Sequence, residues 1–293
     1  MASEGNTLVI GGLGVKGLSN IGAIEALVEF EVPVKRVVAS GISSLIGAQF
    51  ALGRDLNSLS DELVRFFSEN DKYLWGMERL SGLPRRRTRR VRDSFAYFLR
   101  ERLFCQSNFN RLSILDWEIV DADLERLFGE VQDADLKLPL SISAIDLNKR
   151  REVLLENGRL VDRLKAGFAF PGLFPPVNLA GDKYVGSSFF CELPLSILTR
   201  EHAPIVVVDI PSRPDLQCPG NVIENLARMD EIRSRIIKGK MLTKADRILS
   251  LEAVKDFEWG NYRQLTRQVE LAYSETKRLL QEDPDIARHT EVS

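Results

Sequence analysis

Two neighbouring stretches decide the fold, Thr7-Leu-Val-Ile-Gly-Gly-Leu-Gly-Val-Lys-Gly17 and Val37-Val-Ala-Ser-Gly-Ile-Ser-Ser44. Each begins with an apolar run typical of a buried strand, and each run is followed by a glycine turn and a helical pattern. The first helix is predicted to carry its apolar side chains at Ile21, Ile24, Leu27 and Val28. Because strands and helices alternate, we expect an α/β fold in which the two strands are parallel neighbours and the two glycine turns meet.

The rest of the chain continues this alternation around a long, mainly helical region. Residues 55–132 are predicted to form a helical insert or cap, and residues 284–293 a polar tail. A final amphipathic helix is expected over about 262–281. Further strands are predicted at Pro139–Ala144, Glu152–Leu155, Tyr184–Val185, Ile205–Ile210 and Ala245–Leu251. Since no repeat or linker composition interrupts the chain, we expect one domain over residues 1–293.

The composition excludes several classes of protein. A net charge of −2 over 293 residues argues against a protein that binds nucleic acid through overall positive charge. The three cysteines, Cys105, Cys191 and Cys218, are far apart and lack the spacing of a disulfide framework or a zinc site. The amino-terminal residues are polar, and no apolar run approaches the roughly 18 residues of a membrane span. We therefore expect a cytoplasmic protein without a metal or nucleotide cofactor.

The glycine loop has the spacing GxGxxG at Gly12, Gly14 and Gly17, which is typical of dinucleotide sites. Such sites also need an acidic residue at the end of the second strand, and here that strand ends Ala39-Ser-Gly41. A phosphate-binding Walker motif is absent as well, because Lys16 is followed by glycine and leucine. Backbone N–H groups of such a loop also stabilise an oxyanion, so Gly12, Gly14, Val15, Lys16 and Gly17 are predicted to do so.

An oxyanion site requires a nucleophile, and Ser43 is the candidate. It follows Gly41 on a strand-to-helix turn that is expected to expose the serine hydroxyl at the edge of the sheet. The plainer interpretation is that Ser43 caps the amino terminus of the helix, which is common for serine. The G-x-S motif alone does not decide between these interpretations.

Several segments, in order, resemble the bacterial patatin-like phospholipases and the catalytic domain of neuropathy target esterase. The resemblance covers about residues 8–280 and implies a three-layer α/β/α patatin-like fold with a mainly parallel central sheet and a helical insert. The matching segments are Leu8–Gly22, Val38–Ser44, Ala144–Asn148, Phe170–Val177, Tyr184–Val185, Leu193–Pro194, Ala245–Asp246 and Phe257–Tyr273.

The resemblance implies a catalytic dyad acting on a lipid or acyl ester. In the family, the serine attacks the ester carbonyl, an aspartate just after the Tyr-Val strand acts as the base, and the glycine loop holds the oxyanion. No histidine is needed, which agrees with a chain whose only histidines are His202 and His289. A Ser-His-Asp triad is therefore not expected.

This sequence departs from the family pattern at three places. Gly186 stands where the aspartate base is expected, Leu13 replaces a glycine of the oxyanion loop, and Leu45 replaces the small residue that ends G-x-S-x-G. Asp182 and Glu192 are the nearest candidates for a substitute base. If only the base is missing, Gly186→Asp is expected to raise ester hydrolysis.

Two functions follow from these departures: a lipid ester hydrolase whose activity is weak or lost, or a non-catalytic protein that binds a lipid or an unknown protein partner on the same scaffold. An arginine run offers a peripheral contact with an anionic membrane, since each basic residue near such a surface contributes about 1 kcal/mol. The plainer interpretation is a solvated helix start. The run comprises Arg85, Arg86, Arg87, Arg89, Arg90 and Arg92.

Overall fold

The fold is built around one sheet of eight strands. The computed structural model describes residues 5–12, 14–69, 112–213, 218–219, 222–257 and 262–283. The strands are β1 (Asn6–Ile10), β2 (Val34–Ser40), β3 (Leu140–Asp146), β4 (Arg151–Leu155), β5 (Val177–Leu179), β6 (Asp182–Gly186), β7 (Ile205–Asp209) and β8 (Arg247–Ser250). Their order is β5-β6-β3-β2-β1-β7-β8, with β4 paired to β3 outside this path.

Five strands are parallel and form the centre of the sheet. β1 pairs with β2 and β7, β2 pairs with β3, and β7 pairs with β8, all in parallel. The antiparallel pairs are β3–β4, β3–β6 and β5–β6. The predicted α/β fold with a mainly parallel sheet is thus confirmed, and β1 and β2 are the expected parallel neighbours.

β2 and β6 share one edge of β3 and lie end to end. Ser143 pairs with Ser40 of β2 and with Leu154 of β4, so β2 and β4 occupy opposite edges of β3. The next residue of β3, Ala144, pairs with β4 again and with Gly186 of β6. β6 therefore ends where β2 ends, and the residues after both strands meet at the same place.

Helices cover mainly one face of the sheet. They are α1 (Asn20–Glu29), α2 (Ser43–Ala51), α3 (Leu56–Glu69), α4 (Glu118–Phe128), α5 (Leu160–Phe168), α6 (Val222–Leu242) and α7 (Leu265–Glu282), and a 3₁₀ helix spans Gly14–Ser19. Leu8 and Ile10 of β1 point into the large core under these helices, except α6. Val9 points to the other face, into a smaller core closed by residues 193–198 and the end of α6. This alternation is expected of a strand buried on both sides.

Two sequence predictions need correction or extension. Val28 is 57% exposed, so the prediction that it lies on the buried face of α1 is wrong. The buried stripe continues from Ile21 and Ile24 to Leu27, and Val28 lies about 100° further around the helix. β5, α5 and α6 were not predicted.

Part of the predicted helical insert is described, namely α3 and α4. Residues 70–111, which include the arginine run 85–92 and Cys105, lie outside the described residues, as do Leu13 and the predicted tail 284–293. Within the described ranges, no helix is both long and apolar enough to cross a membrane.

Candidate active site

The elbow between β2 and α2 places Ser43 at the carboxyl edge of the sheet. Gly41 has φ +58°, a left-handed conformation that glycine adopts without strain, and it allows the tight turn. Ser43 is the first residue of α2 and is fully buried, so the expectation of an exposed hydroxyl is wrong. The residue at the helix-capping position is Ile42, and no side chain caps the helix there. The interpretation of Ser43 as a helix cap is therefore wrong.

The hydroxyl of Ser43 makes two hydrogen bonds. It accepts one from Nδ2 of Asn20, at 3.0 Å, and donates one to the carbonyl oxygen of Gly17, at 3.2 Å. Among the residues that the structure describes, no carboxylate or imidazole contacts Ser43 Oγ. Its proton is thus held by a backbone carbonyl, which is not a base at neutral pH.

The glycine loop lies directly against Ser43, as predicted. A Cβ atom added to Gly17 would lie 2.8 Å from Ser43 Oγ, so only glycine allows this approach. Gly12 and Gly14 have φ of +144° and +56°, and Val15, Lys16 and Gly17 are buried in the 3₁₀ helix that follows. The structure therefore brings together the predicted oxyanion residues and the predicted nucleophile.

Asn20, which the sequence analysis did not single out, joins these parts. Its Nδ2 lies 2.8 Å from the carbonyl oxygens of both Gly11 and Gly17 and 3.0 Å from Ser43 Oγ, so these three acceptors share its two hydrogens. The two carbonyls require the nitrogen, not the oxygen, on this side of the amide. Asn20 thus ties the end of β1, the glycine loop and the elbow together, and it presents a donor to Ser43.

Gly186, at the position of the missing base, is closely packed by backbone. A Cβ atom there would lie 2.5 Å from the carbonyl oxygen of Gly167 near the end of α5, and the N–H of Gly186 donates to the carbonyl of Ala169 at 2.8 Å. The elbow is adjacent, since a Cβ atom on Gly41 would lie 2.8 Å from Ser188 Oγ. Position 186 therefore lies close to the elbow, but it leaves no room for a side chain.

The structure does not bring Asp182 to Ser43. Asp182 begins β6 and Gly186 ends it, and four residues of a strand correspond to about 13 Å. The Asp182 carboxylate instead forms an ion pair with Lys149. Asp182 is therefore unsuited to the role of substitute base.

Glu192, the second candidate for a substitute base, is mostly buried and paired. Its side chain is 21% exposed, and Oε2 lies 2.8 Å from Nζ of Lys238. Lys238 Nζ also lies 2.6 Å from Oδ1 of Asp209 and donates to the carbonyl of Ile210. Burial lowers the pKa of Lys238, but Glu192 and Asp209 outweigh this and raise it above its usual value. Glu192 is thus committed to an ion-pair cluster that joins α6 to the end of β7.

Lys16, in the glycine loop, points away from Ser43 and anchors the loop. Its Nζ donates to the carbonyls of Pro211, at 2.6 Å, and Lys255, at 3.1 Å, and to Ser212 Oγ, at 3.3 Å. Burial lowers the pKa of Lys16 to about 8, against the opposing effect of Glu192. Its side chain therefore has a structural role, and the loop contributes to the site through its backbone.

This lowered pKa predicts a rise in stability with pH. An unfolded lysine keeps its proton up to a pH of about 10.4, so between pH 8 and that value the unfolded chain binds one more proton than the folded protein. The free energy of unfolding should then increase by up to roughly 3 kcal/mol over this window. Urea unfolding from pH 7 to 10.5 checks it, with Lys16→Met as the comparison. If the free energy of unfolding rises equally with pH in both proteins, the lowered pKa of Lys16 is not its cause.

An apolar cavity of about 50 Å³ lies beside the elbow, between α2, α3, α4 and α5. Ile42 and Leu45, which flank Ser43 in sequence, both line it, so one departure from the family pattern borders this cavity. Ligand pockets usually hold about 300–1,000 Å³, so this cavity is too small to hold a whole lipid. The other lining residues are Glu62, Leu63, Phe66, Phe67, Val120, Asp123, Leu124, Arg126, Leu127 and Phe168.

Comparison with known proteins decides the family. The sequence matches the model of the family described as patatin-like phospholipase over residues 8–196, which contain the glycine loop, the elbow and position 186. The chain belongs to the patatin-like phospholipase family. Members of this family are lipid acyl hydrolases, and the family implies a lipid substrate.

Individual relatives of this patatin-like chain are distant. Lysophospholipase NTE1 of Meyerozyma guilliermondii is 21% identical over 216 residues, which are 73% of this chain and 13% of that protein. Lysophospholipase NTE1 of Yarrowia lipolytica is 24% identical over 209 residues, or 71% and 13% of the two chains. The chain thus spans about an eighth of the length of these relatives. The structure is similar to VipD from Legionella pneumophila, with 15% identity and a TM-score of 0.48 over 96% of this chain and 67% of that chain.

Proposed function

We propose that this patatin-like protein binds a lipid and hydrolyses esters weakly or not at all. The observation that carries the proposal is the hydrogen bond from Ser43 Oγ to the Gly17 carbonyl, together with glycine at position 186. A serine hydroxyl without a base is a poor nucleophile at neutral pH. Removing one member of such a catalytic unit costs on the order of 10⁴ to 10⁶ in kcat.

The remaining parts favour retention of a lipid site. Gly12, Gly14 and Gly17 keep the loop that would hold an oxyanion or a phosphate, and Asn20 ties this loop to Ser43. The apolar cavity at Ile42 and Leu45 provides an apolar wall for the end of an acyl chain. Since the curated relatives are named lysophospholipases, a lysophospholipid is the first lipid to test. A non-catalytic role with a protein partner is the alternative on the same scaffold.

The test is ester hydrolysis by the wild type and by Ser43→Ala, purified in parallel. With a short-chain p-nitrophenyl ester and with lysophosphatidylcholine, we expect the two rates to agree within about twofold, because none of the described residues provides a base to Ser43. Ser58→Ala, on the outer part of α3, controls for the effect of removing a hydroxyl elsewhere. A wild-type rate far above that of Ser43→Ala would refute the loss of catalysis.

The binding half of the proposal has a separate readout. Fluorescence titration with a labelled fatty acid, in the wild type and in Ser43→Ala, should give saturable binding of similar affinity in both proteins. Absence of saturable binding in both, together with equal background hydrolysis, would favour the protein-partner alternative.

A further inference from the structure

The outer face of α6 exposes four large apolar side chains. Leu226 is 65% exposed, Met229 58%, Ile232 43% and Ile236 55%. With about 100° between successive residues, these four positions fall within one third of the helix circumference. Helices of globular proteins normally turn such a stripe towards the core, so its exposure indicates a partner.

Two basic side chains fall among these four apolar positions. At about 100° per residue, Arg233 and Lys240 lie within the same third of the helix circumference, and both are exposed. Asp230, Glu231 and Arg235 lie outside that third, and Asp230 and Glu231 form ion pairs within the helix, with Arg233 and Arg235 respectively. The face therefore combines apolar and basic side chains, in a chain whose net charge is −2.

α6 extends past the edge of the sheet that carries Ser43. The ion pair of Lys238 with Asp209 places Lys238 level with the carboxyl end of β7. The last turn, with Met241 and Leu242, packs on the sheet below this level. The segment from Val222 to Lys238 is about 24 Å long at 1.5 Å per residue, and it precedes the part that packs on the sheet.

Two exposed phenylalanines lie at the same edge. Phe189 and Phe190 follow β6 and are 44% and 40% exposed. Glu192, two residues further on, holds Lys238 of α6, so the phenylalanines are adjacent to the base of the projecting helix. Two separate elements thus present apolar side chains beside the candidate site.

We propose that the outer face of α6, together with Phe189 and Phe190, docks onto an anionic lipid surface and turns the Ser43 edge towards it. Apolar side chains interspersed with arginine and lysine are the composition by which amphipathic helices bind an anionic bilayer interface. Docking does not require that Ser43 hydrolyse an ester.

The test is flotation of the full chain with vesicles of phosphatidylcholine, with and without phosphatidylserine. The wild type should float with the anionic vesicles and be released by salt. Ile232→Ser/Ile236→Ser should lower vesicle partitioning at least about tenfold, since each buried isoleucine contributes strongly at such an interface. Val28→Ser, an equally exposed apolar position on α1, is the matched control and should float like the wild type.

Several results would overturn the docking surface. One is a wild type that does not float with anionic vesicles. Another is a double variant that floats as well as the wild type does. A third is a wild-type dimer that the double variant dissociates, without vesicle binding, since this would make the face a contact between copies. Unchanged urea midpoints of the variants exclude misfolding. Ser43→Ala should float normally, which separates this test from that of hydrolysis.

Discussion

Gly186→Ala is expected to lower the free energy of unfolding by about 3 kcal/mol, a large effect for a single methyl group. The added Cβ would lie 2.5 Å from the Gly167 carbonyl oxygen, and backbone cannot rotate away as a side chain can. The hydrogen bond from Gly186 to Ala169 would be strained by any shift of the strand. For the same reason Gly186→Asp should not raise ester hydrolysis, contrary to the expectation from the sequence.

A matched glycine provides the control for this substitution. Gly239 lies in α6 with no atom within 4 Å of an added Cβ, and its φ is not positive. Gly239→Ala should therefore stabilise the protein by roughly 0.5–1 kcal/mol, so that the same chemical change has opposite signs at the two positions. Urea unfolding measures both. If Gly186→Ala has the same urea midpoint as the wild type and Gly186→Asp gains esterase activity, the close packing of β6 on α5 does not exclude a side chain at position 186.

Lys238→Ala is expected to cost about 3–5 kcal/mol, because it leaves two carboxylates without their cation. The Lys238 side chain is only 15% exposed, and it bridges Glu192 and Asp209, which are 21% and 10% exposed. When one partner of such a buried cluster is removed, the desolvation free energy of the remaining charges is no longer offset by their attraction to it. Thermal and urea unfolding should both report the loss.

Lys240→Ala, two residues further along the same helix, is the comparison. Lys240 is exposed, so its removal should change the free energy of unfolding by less than about 0.5 kcal/mol. Equal effects of the two substitutions would mean that solvent screens the cluster, and that α6 is joined to the sheet by its apolar last turn alone.

Local pattern predicts the centre of this fold well. The strands of the glycine loop and the elbow are apolar runs that end in glycine turns, and parallel neighbours bring their carboxyl ends together. The contact of Gly17 with Ser43 therefore follows from the order of these elements in the sequence.

The decisive contacts of the site are not visible in the sequence. The residues around Gly186 in the sequence do not indicate that Gly167 of α5 packs against it, because that contact joins two elements that are not neighbours in the chain. Asn20 likewise begins an ordinary helix, and only the meeting of α1 with α2 gives it Ser43 as a partner. The ion pair of Glu192 is likewise not visible in the sequence, because its partner Lys238 lies on α6, a helix that was not predicted.

Because Lys16 is anchored by residues far along the chain, the glycine loop cannot take its final shape as soon as it is synthesised. The ribosome releases the glycine loop before its anchors at Pro211 and Lys255, the second of which lies 239 residues after Lys16. The second edge of β1 is unpaired until β7 has been synthesised. Glu29 of α1 likewise lacks its ion-pair partner until Lys277 of α7 has been synthesised. The loop beside Ser43 is thus synthesised well before the residues that fix its shape, and during this interval a strand edge of the nascent chain is open to chaperones.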